Sequence, residues 1–401
     1  MTAFSIGFIV IVFYISFGHC QNASEESRGR YLWQKIKNKL VNKFDVDDRH
    51  FNSEEILLFP DIAFQLSNDS NIWNVMIHGW KYQNNIQKYR LGLHASSWIE
   101  RLARNLVSSN DILHLNGSIN HERLRPFFVT DRAFEDILIE IGNTTQTIHT
   151  DHNGEFYEQI QMTNNDIQQL KQKENNNIIT YEVTGDDQRN ATGRIQLIEP
   201  SEGISIISDI DDTIKISEVL DKVRLLANTF ISPFKPVPGM PELYQQWQTK
   251  NINCTFHYLS GMPDQLYTLT QEFIDINKFP NGSFHMRHFG WAATSLFHFL
   301  HSQSTFEHKL SYLRFFLLNT KRNYVLIGDS GEKDPEIYGT ITREYPERIR
   351  AIFIRAIQNE SFDNQRFLDA FKDISEEKWL VFHDPKQVPI DLSRAPRTLN
   401  G

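Results

Sequence analysis

The sequence predicts an α/β protein in which a domain built on a parallel β-sheet follows a small β-sandwich-like domain. From residue 203 onward, short apolar runs such as "ISIIS", "CTFHYLS" and "YVLIG" alternate with longer segments of helical periodicity. This alternation is typical of crossover units and of a parallel sheet covered on both faces. Residues 70 to 200 instead contain apolar stretches of strand length, which favour a separate β-rich domain.

One stretch of the β-rich region, "TIHTDHNGEFYEQIQM", is interpreted as a hairpin. Its Asn153-Gly154 pair can supply the positive φ angles that a tight turn needs. The predicted layout of the whole chain has five parts. These are a signal peptide (1–20), a basic amphipathic helix with a linker (21–69), the β-rich domain (70–200), the α/β domain (201–385) and a polar tail (386–401).

Composition limits the class of protein. The chain has 401 residues, of which 40% are hydrophobic and 23% charged, so it is long and apolar enough for globular domains. Its formal net charge of −9 argues against a nucleic-acid partner, because binding to the phosphate backbone needs a basic surface.

The N-terminus predicts a secreted protein. Residues 4–17 form an uncharged apolar run, which is shorter than the roughly 20 residues of a membrane-spanning helix. Gly18 and Cys20 favour cleavage before Gln21, although no basic side chain precedes the run and an uncleaved anchor is the alternative. Cleavage would leave Cys254 as a lone, buried cysteine. Eight N-x-S/T sequons agree with this route, at Asn22, Asn68, Asn116, Asn143, Asn190, Asn253, Asn281 and Asn359.

Residues 28–44, "RGRYLWQKIKNKLVNKF", predict an amphipathic helix flanked by lysines. One interpretation is peripheral contact with an anionic membrane surface. The other, which we favour, is that the apolar arc packs on the helix's own domain, because apolar stripes usually serve cores. The arc consists of Leu32, Trp33, Ile36, Leu40 and Phe44.

The residues that suggest chemistry stand at the ends of the predicted parallel strands. Asp209 and Asp211 follow "ISIIS", Ser260 follows "FHYL", and Asp329 and Asp334 follow "YVLIG". Ligands of such sheets bind at the carboxyl ends of the strands, so we expect these side chains to meet at one edge. Lys309, on the helix that precedes the "YVLIG" strand, is expected to join them.

This set of side chains fits phosphoryl transfer through an aspartyl phosphate. Asp209 would attack phosphorus, and Asp211 would protonate the leaving oxygen and then activate water. Lys309 and Ser260 would contact the transferring phosphoryl oxygens. A Mg²⁺ ion held by Asp209 and Asp329 would offset the repulsion between carboxylate and phosphate. We expect Asp209 and Asp211 to titrate as a coupled pair that helps to keep one of them protonated.

The acidic stretch also has simpler explanations, because clustered aspartates after a strand can form a solvated turn or a calcium loop. The EF-hand pattern fails here, because Ile214 stands where glycine is required and Leu220 where a bidentate glutamate is required. Each remaining residue is a weak signal alone, and the argument depends on their order and their places at strand ends.

Longer motifs carry a resemblance to a known family. "DIDDT" matches the D-x-D-x-T signature of the haloacid dehalogenase superfamily. "SDIDDTIKIS", "PVPGMPELY", "FHYLSGMPDQLY", "FPNGSF", "LIGDSGEKDPEIY" and "AIFIRAI" resemble the catalytic domain of the actin-patch phosphatidate phosphatase family, and "IHGW" and "TDHNGEF" resemble its leading β-domain. The resemblance covers roughly residues 70 to 385. It implies a haloacid-dehalogenase-like Rossmannoid domain and a Mg²⁺-dependent phosphatase that acts on phosphatidate or related lipids.

Carried over by position, Asp209 resembles the family's nucleophile and Asp211 its acid/base. Ser260, Lys309 and Asp329 match the second, third and fourth motifs. The resemblance implies metal ligands at Asp209, Asp211, Asp329 and Asp334, and we expect substrate contacts from Thr213, Lys215 and Arg355.

Two features depart from the family's pattern. "SGMPD" lacks a second serine and an aromatic residue near Pro263, which puts the shape of the substrate rim in question. The secretory signal is the other departure, because a role at cortical actin requires the cytosol. The chemistry implied by the motifs is not affected by either.

The chain leaves little room for a cap over the site. Only 50 residues separate Asp209 from Ser260, and they must form a turn, a helix and a strand. A minimal cap would admit bulky substrates such as phosphatidate or lysophosphatidate. The alternatives are a secreted phosphatase of phosphoproteins or soluble phosphomonoesters, and a catalytically silent protein that binds lipid or phosphate.

Five histidines lie between the second and third motifs, two pairs of them at i, i+3 spacing. A zinc site there is conceivable. We do not expect one, because carboxylate and cysteine ligands are missing from the segment. A surface near the pocket mouth is the favoured interpretation of His285, His288, His298, His301 and His308.

Overall fold

The structure is a computed structural model of the 401-residue chain. The predicted signal peptide, the basic helix at 28–44 and most of the polar tail lie outside the described residues. None of the helices in the described part combines the length and hydropathy needed to cross a membrane. The described residues are 53–66, 69–85, 123, 125–174, 177–200, 203–288 and 302–393.

The described residues of the N-terminal half form nine strands and one α-helix. The strands are β1 (Glu54–Phe59), β2 (Asp61–Gln65), β3 (Ile72–Asn84), β4 (Val129–Asp131), β5 (Asp136–Ile141), β6 (Thr144–His149), β7 (Glu155–Thr163), β8 (Ile178–Gly185) and β9 (Asn190–Ile198), and the helix is α1 (Asn164–Glu174).

The long strand β3 organises this sheet. It pairs with β1 and β2 along one edge and with β7 and β4 along the other, and the order continues from β2 through β9, β8 and β5 to β6. Val75 and Ile77 of β3 share a buried cluster with Ile137 and Ile139 of β5, so the sheet folds over on itself. Hydrogen bonds connect all nine strands in one network, and no break divides them into two separate sheets. The two-sheet sandwich therefore stays a prediction.

Two expectations for this half need correction. The segment up to residue 69, expected to be a linker, contains β1 and β2, whose Phe59, Ile62 and Phe64 are buried. The hairpin around Asn153-Gly154 was wrong: Gly154 does turn the chain with φ 76°, but β6 pairs with β5 and β7 pairs with β3 over nine residues. A local turn signal therefore gave the turn correctly and the strand pairing incorrectly.

The described residues of the C-terminal half form six strands and six α-helices. They are β10 (Ile204–Ser208), α2 (Lys222–Phe230), α3 (Met240–Lys250), β11 (Thr255–Pro263), α4 (Tyr267–Ile276), β12 (Ser283–Arg287), α5 (Ser302–Asn319), β13 (Asn323–Asp329), α6 (Asp334–Glu344), β14 (Ile349–Arg355), α7 (Gln365–Ala370) and β15 (Trp379–Phe382).

All pairs in this second sheet are parallel, which confirms the predicted parallel sheet. The strand order is β12-β11-β10-β13-β14-β15, a doubly wound order that reverses direction between β10 and β13. One buried cluster joins the sheet to α3 and α4, and another joins it to α5, α6 and α7, so both faces are covered as predicted. Ligands of this architecture bind where the order reverses.

The two sheets are packed against each other. The backbone N–H of Phe284 in β12 donates to the carbonyl of Pro60 at 2.9 Å. Phe59 and Trp80 of the first sheet belong to the same buried cluster as Phe284. Cys254 is half-buried and packs against that cluster, in line with its predicted place near the core, and burial raises the pKa of its thiol to about 12.

Candidate active site

The site lies at the point where the order of the parallel sheet reverses. Asp209 directly follows β10, and Asp329 is the last residue of the adjacent strand β13. The backbone N–H of Asp209 donates to the carbonyl of Ile327 at 2.9 Å, which continues the ladder and fixes the register of the two aspartates. Both side chains are buried, so the strand ends deliver two carboxylates into one enclosed place.

A third carboxylate completes a group that could hold a metal ion. Asp209, Asp329 and Asp334 each offer an oxygen, and these atoms lie within 4.8 Å of one another. Asp334 begins α6 and accepts from the backbone N–H of Asp329 at 3.3 Å. Gly328 makes this approach feasible, because a Cβ added there would clash with the Asp334 carboxylate.

Lys309 supplies the positive charge at this edge. Its buried ammonium group donates to Asp209 Oδ1 at 2.8 Å, to Asp334 Oδ1 at 2.6 Å and to Glu332 Oε2 at 3.2 Å. Helix α5 begins at Ser302, so Lys309 lies in the body of the helix that precedes β13. The structure therefore brings Lys309 to the carboxylates as predicted.

One ammonium group does not balance this much negative charge. Burial raises the pKa of the Asp209 and Asp329 carboxyl groups well above the usual range, and the neighbouring carboxylates raise it further. Burial disfavours the Lys309 charge, but attraction to Asp209 and Asp334 raises the pKa of this amine. Among the described residues, no donor is found for the buried atoms Asp209 Oδ2 and Asp329 Oδ2.

These observations fit a hard divalent cation. Oxygen-only donors, two of them buried without a partner, are the ligand type that Mg²⁺ prefers. Asp209, Asp329 and Asp334 are the residues that could hold it. The side chain of Asp211 is not part of this group, and the predicted role of Asp211 as a metal ligand stays a prediction.

The carboxylate of Asp211 instead has its own set of donors. Lys215 Nζ donates to its Oδ1 at 2.7 Å, Ser217 Oγ donates to the same oxygen at 2.6 Å, and Ser260 Oγ donates to Oδ2 at 3.2 Å. Burial opposes the charge, but Lys215 and Ser217 outweigh it and lower the pKa of Asp211. The surroundings therefore shift the pKa values of Asp209 and Asp211 in opposite directions, and Asp209 is the more readily protonated of the two.

Lys215 does not have the place expected of a substrate contact. Its side chain is buried, donates to Asp211 and Ser217, and lies over the ring of Phe234 at 4.7 Å. We therefore correct its predicted role: Lys215 positions Asp211. Thr213 is also buried, and its hydroxyl has no partner among the described residues. Its predicted contact with substrate stays a prediction.

Asp212 shapes the loop that carries the acidic stretch. It adopts a positive φ of 53°, and its carboxylate accepts backbone N–H bonds from Ser217, Glu218 and Val219 at 2.7–2.9 Å. Arg355, at the end of β14, donates to the Asp212 carbonyl at 2.5 Å. Arg355 thus braces the loop, and its predicted contact with substrate stays a prediction.

Two residues of the site were missed in the sequence. Glu332 adds a carboxylate beside Lys309, and Ser217 adds a donor to Asp211. Glu332 lies inside the quoted "LIGDSGEKDPEIY" stretch, where only the aspartates drew attention. Ser217 follows the D-x-D-x-T signature by four residues, and its role depends on how the loop turns back.

A buried carboxylate group at the reversal point of a doubly wound parallel sheet defines the class: an α/β domain with a ligand site between its central strands. Within that class, the family described as "Phosphatidate phosphatase APP1, catalytic domain" matches residues 204–356. The resemblance to this family, stated from the motifs, is therefore confirmed over that segment, which holds all the predicted site residues.

Two curated proteins are similar to this chain. An uncharacterised protein of Schizosaccharomyces pombe is 32% identical over 162 residues, which are 39% of this chain and 26% of that protein. "Phosphatidate phosphatase APP1" of Saccharomyces cerevisiae is 32% identical over 164 residues, 40% of this chain and 27% of that protein. The chain thus matches about a quarter of the length of these relatives. A solved carbohydrate acetylesterase from Xanthomonas citri matches at 8% identity over 60% of this chain and 67% of that chain, with a TM-score of 0.21, which carries no argument.

The raised pKa of Asp329 predicts an unusual stability effect of Asp329→Asn in chelator. A carboxyl group whose pKa is raised by folding contributes stability that is lost as pH rises from about 4 through the raised value. The neutral amide avoids that loss and can still accept the N–H of Gly331. We expect the variant to unfold at least about 2–4 °C above wild type at pH 8, the shift for about 1 kcal/mol, with a smaller difference at pH 5.

Exposed Asp369 provides the matched control, since Asp369→Asn changes the same atoms without a buried charge. Thermal unfolding followed by circular dichroism at both pH values measures the difference, and added Mg²⁺ should raise the midpoint of wild type more than that of Asp329→Asn. An Asp329→Asn variant that is less stable than wild type at pH 8 in chelator would contradict the account of the site.

Proposed function

We propose that this protein is a Mg²⁺-dependent phosphatase that hydrolyses phosphate monoesters through an aspartyl phosphate, with phosphatidate or lysophosphatidate as substrate. The observation that carries the proposal is the group of Asp209, Asp329, Asp334 and Lys309 at one strand edge, inside the segment that matches a phosphatidate phosphatase catalytic domain.

Asp209 would be the nucleophile. Its Oδ1 is held by Lys309, and its Oδ2 has no partner among the described residues, so one oxygen is fixed while the other faces the site. In a nucleophilic role this oxygen forms a bond to phosphorus as the ester oxygen leaves, and water later releases phosphate from the acyl phosphate. Lys309 also lies where it can donate to a phosphoryl oxygen in the transition state.

Bound Mg²⁺, held by Asp209, Asp329 and Asp334, would supply positive charge against the phosphate dianion. The chain's part is to fix these three carboxylates. The N–H groups of Gly331 and Glu332 donate to Asp329 Oδ1 at 2.6 and 3.3 Å, so its other oxygen keeps a defined direction.

Asp211 would transfer the proton at the leaving oxygen and at the attacking water. Lys215 and Ser217 hold one of its oxygens, and the other accepts only the longer bond from Ser260. The lowered pKa favours the base form, which the hydrolytic half of the reaction requires. Ser260 would turn its hydroxyl from Asp211 to a phosphoryl oxygen when substrate binds.

A small cap over the site supports a bulky substrate. Between Asp209 and the start of β11 at Thr255, the described residues form the helices α2 and α3 and two isolated bridges, which link Asp211 to Lys215 and Lys215 to Pro236. This fits a haloacid-dehalogenase-like domain with a minimal cap. The yeast relative's name, phosphatidate phosphatase, supports a phospholipid as the substrate.

Two alternatives remain distinct from this proposal. A phosphatase of phosphoproteins or soluble phosphomonoesters would use the same residues and differ only in substrate. A catalytically silent protein that binds lipid or phosphate would need no intact nucleophile, acid/base or lysine. Asp209, Asp211 and Lys309 are all present and mutually oriented, which favours an enzyme.

The proposal predicts Mg²⁺-dependent phosphate release from phosphatidate in detergent micelles, faster than from a soluble phosphate monoester. Asp209→Asn should lose activity by at least about 10⁴-fold, because the amide cannot form the covalent intermediate. Asp211→Asn should lose roughly 10²- to 10⁴-fold, the usual contribution of general acid–base catalysis. A phosphate-release assay with each substrate, with Mg²⁺ or chelator, measures both effects.

Asp369→Asn serves as the control that should keep wild-type rates. Near-wild-type turnover by Asp209→Asn would refute the nucleophile. Faster release from the soluble ester than from micelles would transfer the proposal to the soluble-substrate alternative. A folded wild-type protein that releases phosphate from neither substrate would favour the catalytically silent binding protein.

Secretion is part of the proposal and rests on the N-terminal run and the sequons. All five sequon asparagines in the described residues are exposed, as glycan attachment requires: Asn143, Asn190, Asn253, Asn281 and Asn359. Expression in secreting eukaryotic cells should give a protein in the medium whose mass falls on treatment with an N-glycosidase. An unglycosylated protein retained in the cytosol would contradict this part of the proposal.

A further inference from the structure

A second group of metal-binding side chains lies between the two sheets, apart from the candidate active site. His78 comes from β3, Glu155 from β7, Asp264 from the turn after β11, and His288 directly follows β12. All four side chains are at most 8% exposed. We propose that these four residues bind one Zn²⁺ ion that joins the N-terminal sheet to the parallel sheet.

The two contacts of histidine with Glu155 have the spacing of neighbouring ligands around a tetrahedral ion. Zn²⁺ bonds of about 2.0–2.2 Å to nitrogen and oxygen place neighbouring ligands about 3.3–3.5 Å apart in a tetrahedral shell. His78 Nε2 lies 3.4 Å from Glu155 Oε1, and His288 Nδ1 lies 3.5 Å from the same oxygen. His288 Nδ1 is 3.0 Å from Asp264 Oδ2, and the donors of His78, Glu155 and Asp264 all fall within 4.8 Å.

The same distances are poor for a network that is held by hydrogen bonds alone. A charge-assisted N–H···O bond normally measures about 2.7–2.9 Å. Both contacts from histidine to Glu155, at 3.4 and 3.5 Å, are longer by half an ångström or more, although the residues are buried. A single oxygen faced by two imidazole nitrogens at ligand–ligand spacing is the arrangement of a coordination shell.

The surroundings fix the ligands as a metal site requires. The ring of His78 is stacked on Tyr157 at 3.9 Å and lies against Phe59 at 4.3 Å, which sets its orientation. Tyr157 OH donates to Glu155 Oε1 at 2.9 Å and orients that carboxylate from a second shell. Trp80 packs edge-on to His288 at 5.5 Å. Two neutral imidazoles and two carboxylates would neutralise one divalent ion.

The two carboxylates of this group also need a positive charge between them. Glu155 and Asp264 are both buried, and His288 Nδ1 lies 3.5 Å from an oxygen of Glu155 and 3.0 Å from an oxygen of Asp264. A Zn²⁺ ion would supply that charge, with both histidines as neutral imidazole ligands.

The sequence argument against zinc failed for a physical reason. It found no carboxylate close to the histidines between the second and third motifs, but Asp264 and Glu155 reach His288 from other elements. Of the described histidines in that group, His285 and His308 are not ligands here. Burial lowers the pKa of His285 to about 3 and of His308 to about 4, and both are neutral side chains inside the core.

The proposed zinc site also gives a role to three sequence motifs to which the candidate active site assigns none. His78 and Trp80 belong to "IHGW", Glu155 to "TDHNGEF", and Asp264 ends the unusual "SGMPD". Ser260 lies in β11, and Asp264 directly follows the end of that strand, four residues later. Zn²⁺ bound here would therefore fix the end of the strand that presents Ser260 to the phosphoryl site.

Metal binding by the purified full-length chain tests the proposal. After removal of metal with a chelator, Zn²⁺ titrated in competition with a chromophoric chelator should show one tight site per chain. Co²⁺ bound in its place should give the visible absorption of a tetrahedral centre, which needs no variant. The double variant His78→Gln, Asp264→Asn should bind Zn²⁺ more than about 100-fold more weakly, since changes to outer-shell residues alone cost 10- to 100-fold.

Two double variants serve as controls. His149→Gln, Asp136→Asn removes an exposed pair of the same residue types and should keep wild-type affinity for Zn²⁺. Asp209→Asn, Asp329→Asn removes the candidate Mg²⁺ ligands and should also keep it, which separates this site from the active site. The absence of a stoichiometric site in wild type, or a Co²⁺ spectrum without tetrahedral bands, overturns the proposal, as does equal binding by a folded His78→Gln, Asp264→Asn variant.

Discussion

The candidate active site depends on an imbalance of charge around one buried ammonium group. Lys309 donates to Asp209, Glu332 and Asp334, and Asp329 adds a further buried carboxylate beside them. Burying charges is costly unless each is paired, so four carboxylates around one lysine are strained in the absence of a second cation. The strain identifies the place where a divalent ion and a phosphate would bind together.

The fold explains how such an arrangement can persist. Adjacent parallel strands β10 and β13 present Asp209 and Asp329 from fixed positions, and the two covered faces of the sheet hold those strands in register. Local bonds then separate the roles of neighbouring residues: Lys215 holds Asp211, and backbone N–H groups hold Asp212. The three aspartates of the "DIDD" stretch thus become a nucleophile candidate, a proton-transfer candidate and a brace of the loop.

Much of this could be predicted from the sequence, because strand-end positions in a parallel sheet converge by topology. Asp209, Ser260 and Asp329 were found in that way, and Lys309 was found on the helix that precedes the strand of Asp329. What could not be predicted depends on contacts between distant segments. The pairing of β6 and β7 with other strands, the bond of Lys215 to Asp211, and the approach of Glu155 to His288 leave no local signal in the chain.

The central claim is that Asp209 becomes phosphorylated during turnover. Rapid acid quench of the Mg²⁺-loaded protein during hydrolysis of phosphatidate, followed by borohydride reduction and peptide mass spectrometry, measures it directly. The account predicts that Asp209 is reduced to homoserine in wild type and that the signal is absent in Asp209→Asn. Steady turnover with no modified residue, or with the label on another side chain, would contradict the account.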